Sequence, residues 1–175
     1  PAQMVAGRFF EHIEAECSLT ERLDLDLFMP AAPPPGVPWL EACLGMPVQV
    51  YREAVWPHPI LDRDAPLESL RPAYQEEWIE ALANILRDLA VRFAGRYPVA
   101  MPFLRGPIDV VAGMIETDRA CLELYDHPDE MQRLIDLCAT AWQELSLRFQ
   151  PLIPPFAGGY VCGGRWVWAP APCTY

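Results

Sequence analysis

Apolar residues recur at helical spacing along two long stretches of the chain. From Gln75 to Ala94, the residues Trp78, Leu82, Ile85, Leu89 and Phe93 follow one another at steps of three or four, and Gly95 stands where a C-cap glycine belongs. From Asp129 onward Met131, Leu134, Ile135, Cys138, Ala141, Trp142, Leu145 and Phe149 repeat the pattern. Each stretch therefore predicts a helix with one core-facing stripe rather than a cofactor box. A further helix is predicted over about residues 2–15, with Met4, Val5, Phe9 and Ile13 on one side. Leu23-Asp24-Leu25-Asp26-Leu27 alternates with period two and Phe28-Met29 continues it, which predicts a strand. Val48–Arg52 and Ala54–Trp56 predict a small β excursion ahead of Pro57.

Proline and glycine punctuate these elements. Pro30, Pro33, Pro34, Pro35 and Pro38 surround Gly36 and hold an extended connection, read equally as a stiff surface link or as an active-site loop. The apolar run Tyr97–Leu104 predicts a strand that Arg105-Gly106-Pro107 stops, with a helical segment following to Leu124. Tyr125-Asp126-His127-Pro128-Asp129-Glu130 then separates that segment from the long helix. After Pro154-Pro155-Phe156, Gly159–Cys162 predicts the next strand and Gly163–Trp168 its loop. The paired glycines there lack dinucleotide-fingerprint spacing.

Charge narrows the classes of partner. The net charge is −11, which opposes binding to nucleic acid or to an anionic membrane surface. All 13 cationic residues are arginine, so lysine Schiff-base chemistry and a lysine phosphate loop are excluded from these residues, while carboxylate clamping is not. Six cysteines at irregular gaps, without Cys-x-x-Cys, fit neither a disulfide framework nor a compact zinc signature. Cys17, Cys43, Cys121 and Cys138 read as buried free thiols. With no signal-like start and no run of 18 apolar residues, a reduced, cytoplasmic protein is expected.

Gly106-Pro107, the knuckle Leu122-Glu123-Leu124-Tyr125-Asp126-His127-Pro128-Asp129-Glu130 and the helix through Trp142 resemble the uroporphyrinogen decarboxylase-like superfamily. Leu44-Gly45-Met46-Pro47-Val48-Gln49-Val50, with Pro57, Pro59 and Leu67-Glu68-Ser69-Leu70-Arg71-Pro72, is similar to that family's loop and hairpin after its first strand. The resemblance covers most of the chain. It implies an α/β fold, a partial (β/α)8 TIM barrel with parallel strands and outer helices. Such a barrel needs about 250 residues, so the 175 residues read as the first half of one barrel domain, residues 1–175 being its N-terminal part. Unpaired edges in a half barrel are expected to drive aggregation or homo-oligomer formation.

The family has a porphyrinogen decarboxylase branch and a corrinoid-linked methyltransferase branch. The decarboxylase branch carries an aspartate after its first strand, but Phe28 to Leu40 contains no acid here. Its tyrosine after the Gly-Pro turn corresponds to about Gly113, and its Arg-Gln-Ala-Gly-Arg-Tyr segment is not found. The resemblance therefore implies the methyltransferase side, with zinc and a corrinoid partner engaged through residues beyond Tyr175. A decarboxylase and a non-catalytic tetrapyrrole- or corrinoid-binding protein are the alternatives.

Candidate substrate-binding residues follow. Arg105, after a strand, is expected to anchor a substrate carboxylate or phosphate, unless it pairs with a nearby helix acid. Tyr160, Cys162, Arg165, Trp166 and Trp168 put aromatic faces beside glycines and suit a flat ligand such as a tetrapyrrole. His58, between Pro57 and Pro59, is held in a restricted position that can face a pocket, but a lone histidine makes no metal site. Asp109 reads as a first-turn helix carboxylate and His127 as part of a cap. Arg105, the glycine-rich group and the loop near Gly36 are expected to border one pocket.

Overall fold

A computed structural model describes residues 7, 9–23, 29–51, 54–162 and 167–172. The elements in order are α1 (Phe10–Arg22), α2 (Trp39–Cys43), β1 (Val48–Tyr51), β2 (Ala54–Pro57), α3 (Glu76–Arg92), α4 (Pro107–Ile115), α5 (Thr117–Asp126), α6 (Pro128–Phe149), β3 (Tyr160–Cys162) and β4 (Val167–Ala169). They fall into two compact units, one of residues 1–35, 79–103 and 146–175, the other of residues 36–78 and 104–145.

The barrel expectation is corrected. Among the described residues the sheets are two antiparallel pairs, β1 with β2 and β3 with β4. Where parallel barrel strands were expected, Ala31 and Val99 make one isolated parallel bridge. Ala31 N–H donates to Pro98 O at 2.8 Å and Ala100 N–H to Ala31 O at 3.0 Å. Prolines explain why no ladder grows from it. Pro30 and Pro33 flank one side and Pro98 and Pro102 the other, and none of them has an N–H to donate. The strand expected over Gly159–Cys162 is also re-paired. It is the first arm of a hairpin, in the register Tyr160 to Ala169, Val161 to Trp168 and Cys162 to Val167, and Val167–Ala169, expected to lie in a loop and beyond it, is the second arm.

In the first unit, α1 continues past the expected end at Ala15 to Arg22, because Ile13 and Cys17 bury a stripe one turn apart, while residues 2–6 and 8 of the expected helix lie outside the described residues. Phe10 meets Phe93 edge to face at 6.1 Å. Leu23 caps α1, and Asp24 to Phe28 of the expected strand lie outside the described residues. The apolar stripe of α3 is buried as predicted at Leu82, Ile85 and Leu89, with Phe93 completing it just beyond the helix. Gly95 takes a φ of 72° in the turn that follows.

In the turn that leads into β3, Ala157 and Gly158 both have positive φ between the bridged Phe156 and Gly159. Gly159 has no room for a side chain: a Cβ would lie 2.4 Å from Ala169 O and 2.5 Å from the Trp168 ring.

In the second unit, the helical segment expected as far as Leu124 is split. Glu116, at φ 74°, separates α4 from α5. The Met114 carbonyl accepts N–H bonds from Ile60 and Leu61, at 3.1 and 3.3 Å, instead of continuing the helix. Gly106 is the N-cap of α4 and Pro107 its first residue. His127 N–H closes α5 on Glu123 O while His127 O receives Met131 N–H of α6, so one residue joins the two helices. The α6 stripe is buried through Met131, Leu134, Cys138 and Ala141. Arg119 ties the loop before the 3-10 turn Leu67–Ser69 to α5 through Asp62 O and Ala65 O.

Of the four cysteines expected to be buried, Cys17, Cys43 and Cys138 are, whereas Cys121 on α5 is exposed. Among the described residues no helix is long and apolar enough to cross a membrane.

Candidate functional site

The site is built on α2, a five-residue helix that is buried at every position. Its sequence Trp39-Leu40-Glu41-Ala42-Cys43 is apolar apart from one acid. A helix this short has little intrinsic stability, and its end is secured by a Schellman pattern. Gly45, at φ 90°, donates N–H to Ala42 O, and Met46 N–H reaches back to Glu41 O at 3.0 Å. A Cβ at Gly45 would press on Ala73 O at 3.2 Å, so glycine serves both the backbone conformation and the packing. Gln75 N–H donates to Cys43 O at 2.8 Å, and Trp39 meets Trp78 edge to face.

This frame holds the Glu41 carboxylate at 0% exposure, facing Arg105. Arg105 lies in the extended run before Gly106 and α4, where Pro102 and Gly106-Pro107 keep the backbone out of helix. Its Nε donates to Glu41 Oε1. The other carboxylate oxygen, Oε2, is buried without a hydrogen-bond partner among the described residues. The Arg105 side chain remains 35% exposed. Its Nε edge is engaged inward, and its terminal nitrogens have no protein acceptor among the described residues.

Gly113, one face of α4, lies against the same arginine. A Cβ there would sit 3.8 Å from Arg105 Nη2 and 3.5 Å from Met46 Sδ. Both are ordinary van der Waals distances, so Met46 and Arg105 already close on this position. The tyrosine of the decarboxylase branch corresponds to about this position.

Cys138 completes the surroundings, and its thiol is pushed up to about 12 by burial and then by Glu41. Cys17, in the other unit, is likewise raised to about 12 by burial and by Glu16, Glu21 and Glu14. Both are protonated at neutral pH and are poor nucleophiles.

The other candidates lie elsewhere. His58 is exposed, its ring Nε2 bonded to Gln49 Oε1 at 2.8 Å and its N–H to Pro47 O, so it closes the β1–β2 hairpin. Arg105 and His58 thus have separate partners within one unit. Tyr160 and Cys162 belong to the other unit, on β3, where Cys162 is buried and Tyr160 half-buried. Arg165 and Trp166 lie outside the described residues. Trp168 instead donates its indole N–H to Phe156 O at 3.2 Å. Asp109 sits in the first turn of α4 without a side-chain cap bond.

The first unit also carries an open cavity of about 480 Å³, lined by Val91, Tyr97, Val99, Leu152 and Phe156 among others, and by none of the candidate residues. Among the described residues no group of three or more histidines, cysteines or acids can hold a metal ion. They therefore provide no ligand set for zinc.

Glu41 was missed in sequence, although a signal existed: one acid inside an apolar run that ends in Leu-Gly is an acid committed to burial.

No protein-family model matches the chain, and no curated protein or solved structure matches it.

Proposed function

We propose that this chain recognises a small carboxylated molecule through Arg105, as part of an enzyme on the corrinoid-linked methyltransferase side of the superfamily it resembles. The observation that carries the recognition is the anchoring of Arg105. One edge of the guanidinium is taken by a fully buried carboxylate while the side chain stays 35% exposed. An arginine that merely decorated a surface would not need a buried acid to hold it. Held in this way, it meets a planar carboxylate with part of its conformational entropy already spent, and two parallel N–H bonds fit that ligand.

The reaction class rests on the resemblance and on two absences in sequence, the acid-free stretch Phe28 to Leu40 and the glycine at about the tyrosine position. Glu41 begins immediately after the acid-free stretch, but its carboxylate is engaged with Arg105. Methyl-group transfer to or from a corrinoid carrier, with any zinc bound outside the described residues, is therefore the activity to assay first.

The test compares methyl transfer with carbon dioxide release from uroporphyrinogen, in the wild type and in Arg105→Lys. Lysine keeps the charge but loses the two-pronged geometry. Methyl transfer with a raised KM in the variant is expected. Robust decarboxylation would favour the decarboxylase alternative, and an unchanged KM would remove Arg105 from the site.

A further inference from the structure

The open cavity belongs to the first unit, whereas Arg105 belongs to the second, and its wall has a chemistry of its own. Its volume of about 480 Å³ lies within the range of small-molecule sites. No charged side chain lines it. The one polar group among the lining side chains, the Tyr97 hydroxyl, already donates to Glu21 Oε2 at 3.2 Å. The polarity left for a ligand is therefore main-chain, and Pro151, Pro154 and Pro155 contribute carbonyls without N–H groups. The last turn of α3 lines the cavity at Ala90 and Val91, with Ala94 and Gly95 in the turn beyond. The final carbonyls of a helix have no intrahelical donor and carry the negative end of its dipole. Here Phe93 N–H takes Leu89 O, and Arg96 and Tyr97 N–H both take Phe93 O, so Ala90 O and Val91 O have no donor among the described residues. Arg92 and Arg96 are nearby, but both bond Glu14, and Glu21 stands beside Tyr97, so two acids match the two cations.

We propose that this cavity binds a small organic ammonium ion, its charged head at the carbonyl end of α3 and its apolar body against Val99, Leu152 and Phe156. The aromatic walls at Tyr97 and Phe156 favour a cation over a neutral group of the same shape. The net charge of −11 favours its approach. A carboxylate on the same body would instead face carbonyl oxygens and the negative end of the helix dipole.

Phenethylammonium, phenethyl alcohol and hydrocinnamate share an apolar body and differ in charge. Each is titrated at neutral pH into the isotope-labelled protein, and binding is read by NMR at Val91, Tyr97 and Phe156. The ammonium is expected to bind about tenfold more tightly than the alcohol, and the carboxylate more weakly than either. Ala94 is exposed and lies beyond α3, so Ala94→Trp fills the cavity without entering the core and should abolish the response. Val91→Lys, at a position 81% exposed, sets a competing ammonium there and should weaken the ammonium probe while leaving the alcohol little changed. Equal binding of ammonium and alcohol, tighter binding of the carboxylate, or no response to any probe overturns the proposal. So does a response that persists in folded Ala94→Trp. The wild-type comparison decides even where a variant does not fold.

Discussion

Two acid–arginine clusters of this protein use the same chemistry to different ends. Glu14 accepts from Arg92 at 2.8 Å and Arg96 at 2.9 Å, with all three side chains between 30% and 54% exposed. The Arg96 bond, then the Arg92 bond, holds the Glu14 carboxyl below its ordinary value. Such a cluster exchanges water contacts for protein contacts and changes little. Glu41 is out of water altogether, and Arg105 supplies the hydrogen bond shown to its carboxylate. Burial, and not the number of arginines, decides which cluster the fold depends on.

The largest effect should come from breaking the buried pair. Arg105→Ala leaves Glu41 buried and uncompensated, a loss of about 3–5 kcal/mol. Thermal or urea unfolding of this variant beside Glu14→Gln should show a large drop for the first and a small one for the second. Similar shifts would erase the contrast.

The next effect concerns a close approach in which backbone, not charge, is the constraint. Gly159→Ala places a Cβ 2.4 Å from Ala169 O, and forcing the hairpin apart should cost about 1–3 kcal/mol by the same unfolding measurement. Glu116 provides the opposite sign. Its φ of 74° and ψ of 144° lie in a region that suits glycine, so Glu116→Gly should stabilise the protein by about 1 kcal/mol despite the added chain entropy.

The smallest effect belongs to a third acid cluster, and pH reads it. The Glu123 hydrogen bond raises His127 above 6.5. Burial pushes Glu123 up, but its bonds to Arg119 and His127 outweigh this and hold it below 4.5. Because His127 is raised on folding, its contribution is complete below its unfolded value and is lost as pH rises through the folded one. Glu123 contributes above its unfolded value and loses that contribution as pH falls through its lowered one. The pair is therefore at full strength from about pH 5 to 6. An NMR titration should place the His127 midpoint above 6.5, and Glu123→Gln should lower it. A midpoint unaffected by Glu123→Gln would contradict the assignment.

The long helices were legible because Leu82, Ile85 and Leu89, and likewise Met131, Leu134 and Cys138, repeat with the period of the element that buries them. Gly106-Pro107 was legible from turn chemistry, and the β1–β2 pair as a small β excursion ahead of Pro57. The parallel strands were not, although Pro98 and Pro102 stand inside the expected strand and remove the donors a ladder needs; resemblance outweighed that local signal. Arg105 stands out in the sequence by its place after an apolar run. Its partner does not, because α2 is too short to show a period and pairing between residues 41 and 105 is set by tertiary packing alone.

The central claim is that Arg105 is held at one edge and open at the other. Side-chain NMR of the unliganded protein tests it directly, by comparing solvent exchange at Arg105 Nε–H with exchange at its terminal N–H groups. The account predicts a protected Nε–H, fast terminal groups, and loss of the Nε–H protection in Glu41→Ala. Fast exchange at both edges, or protection of both without ligand, would contradict it.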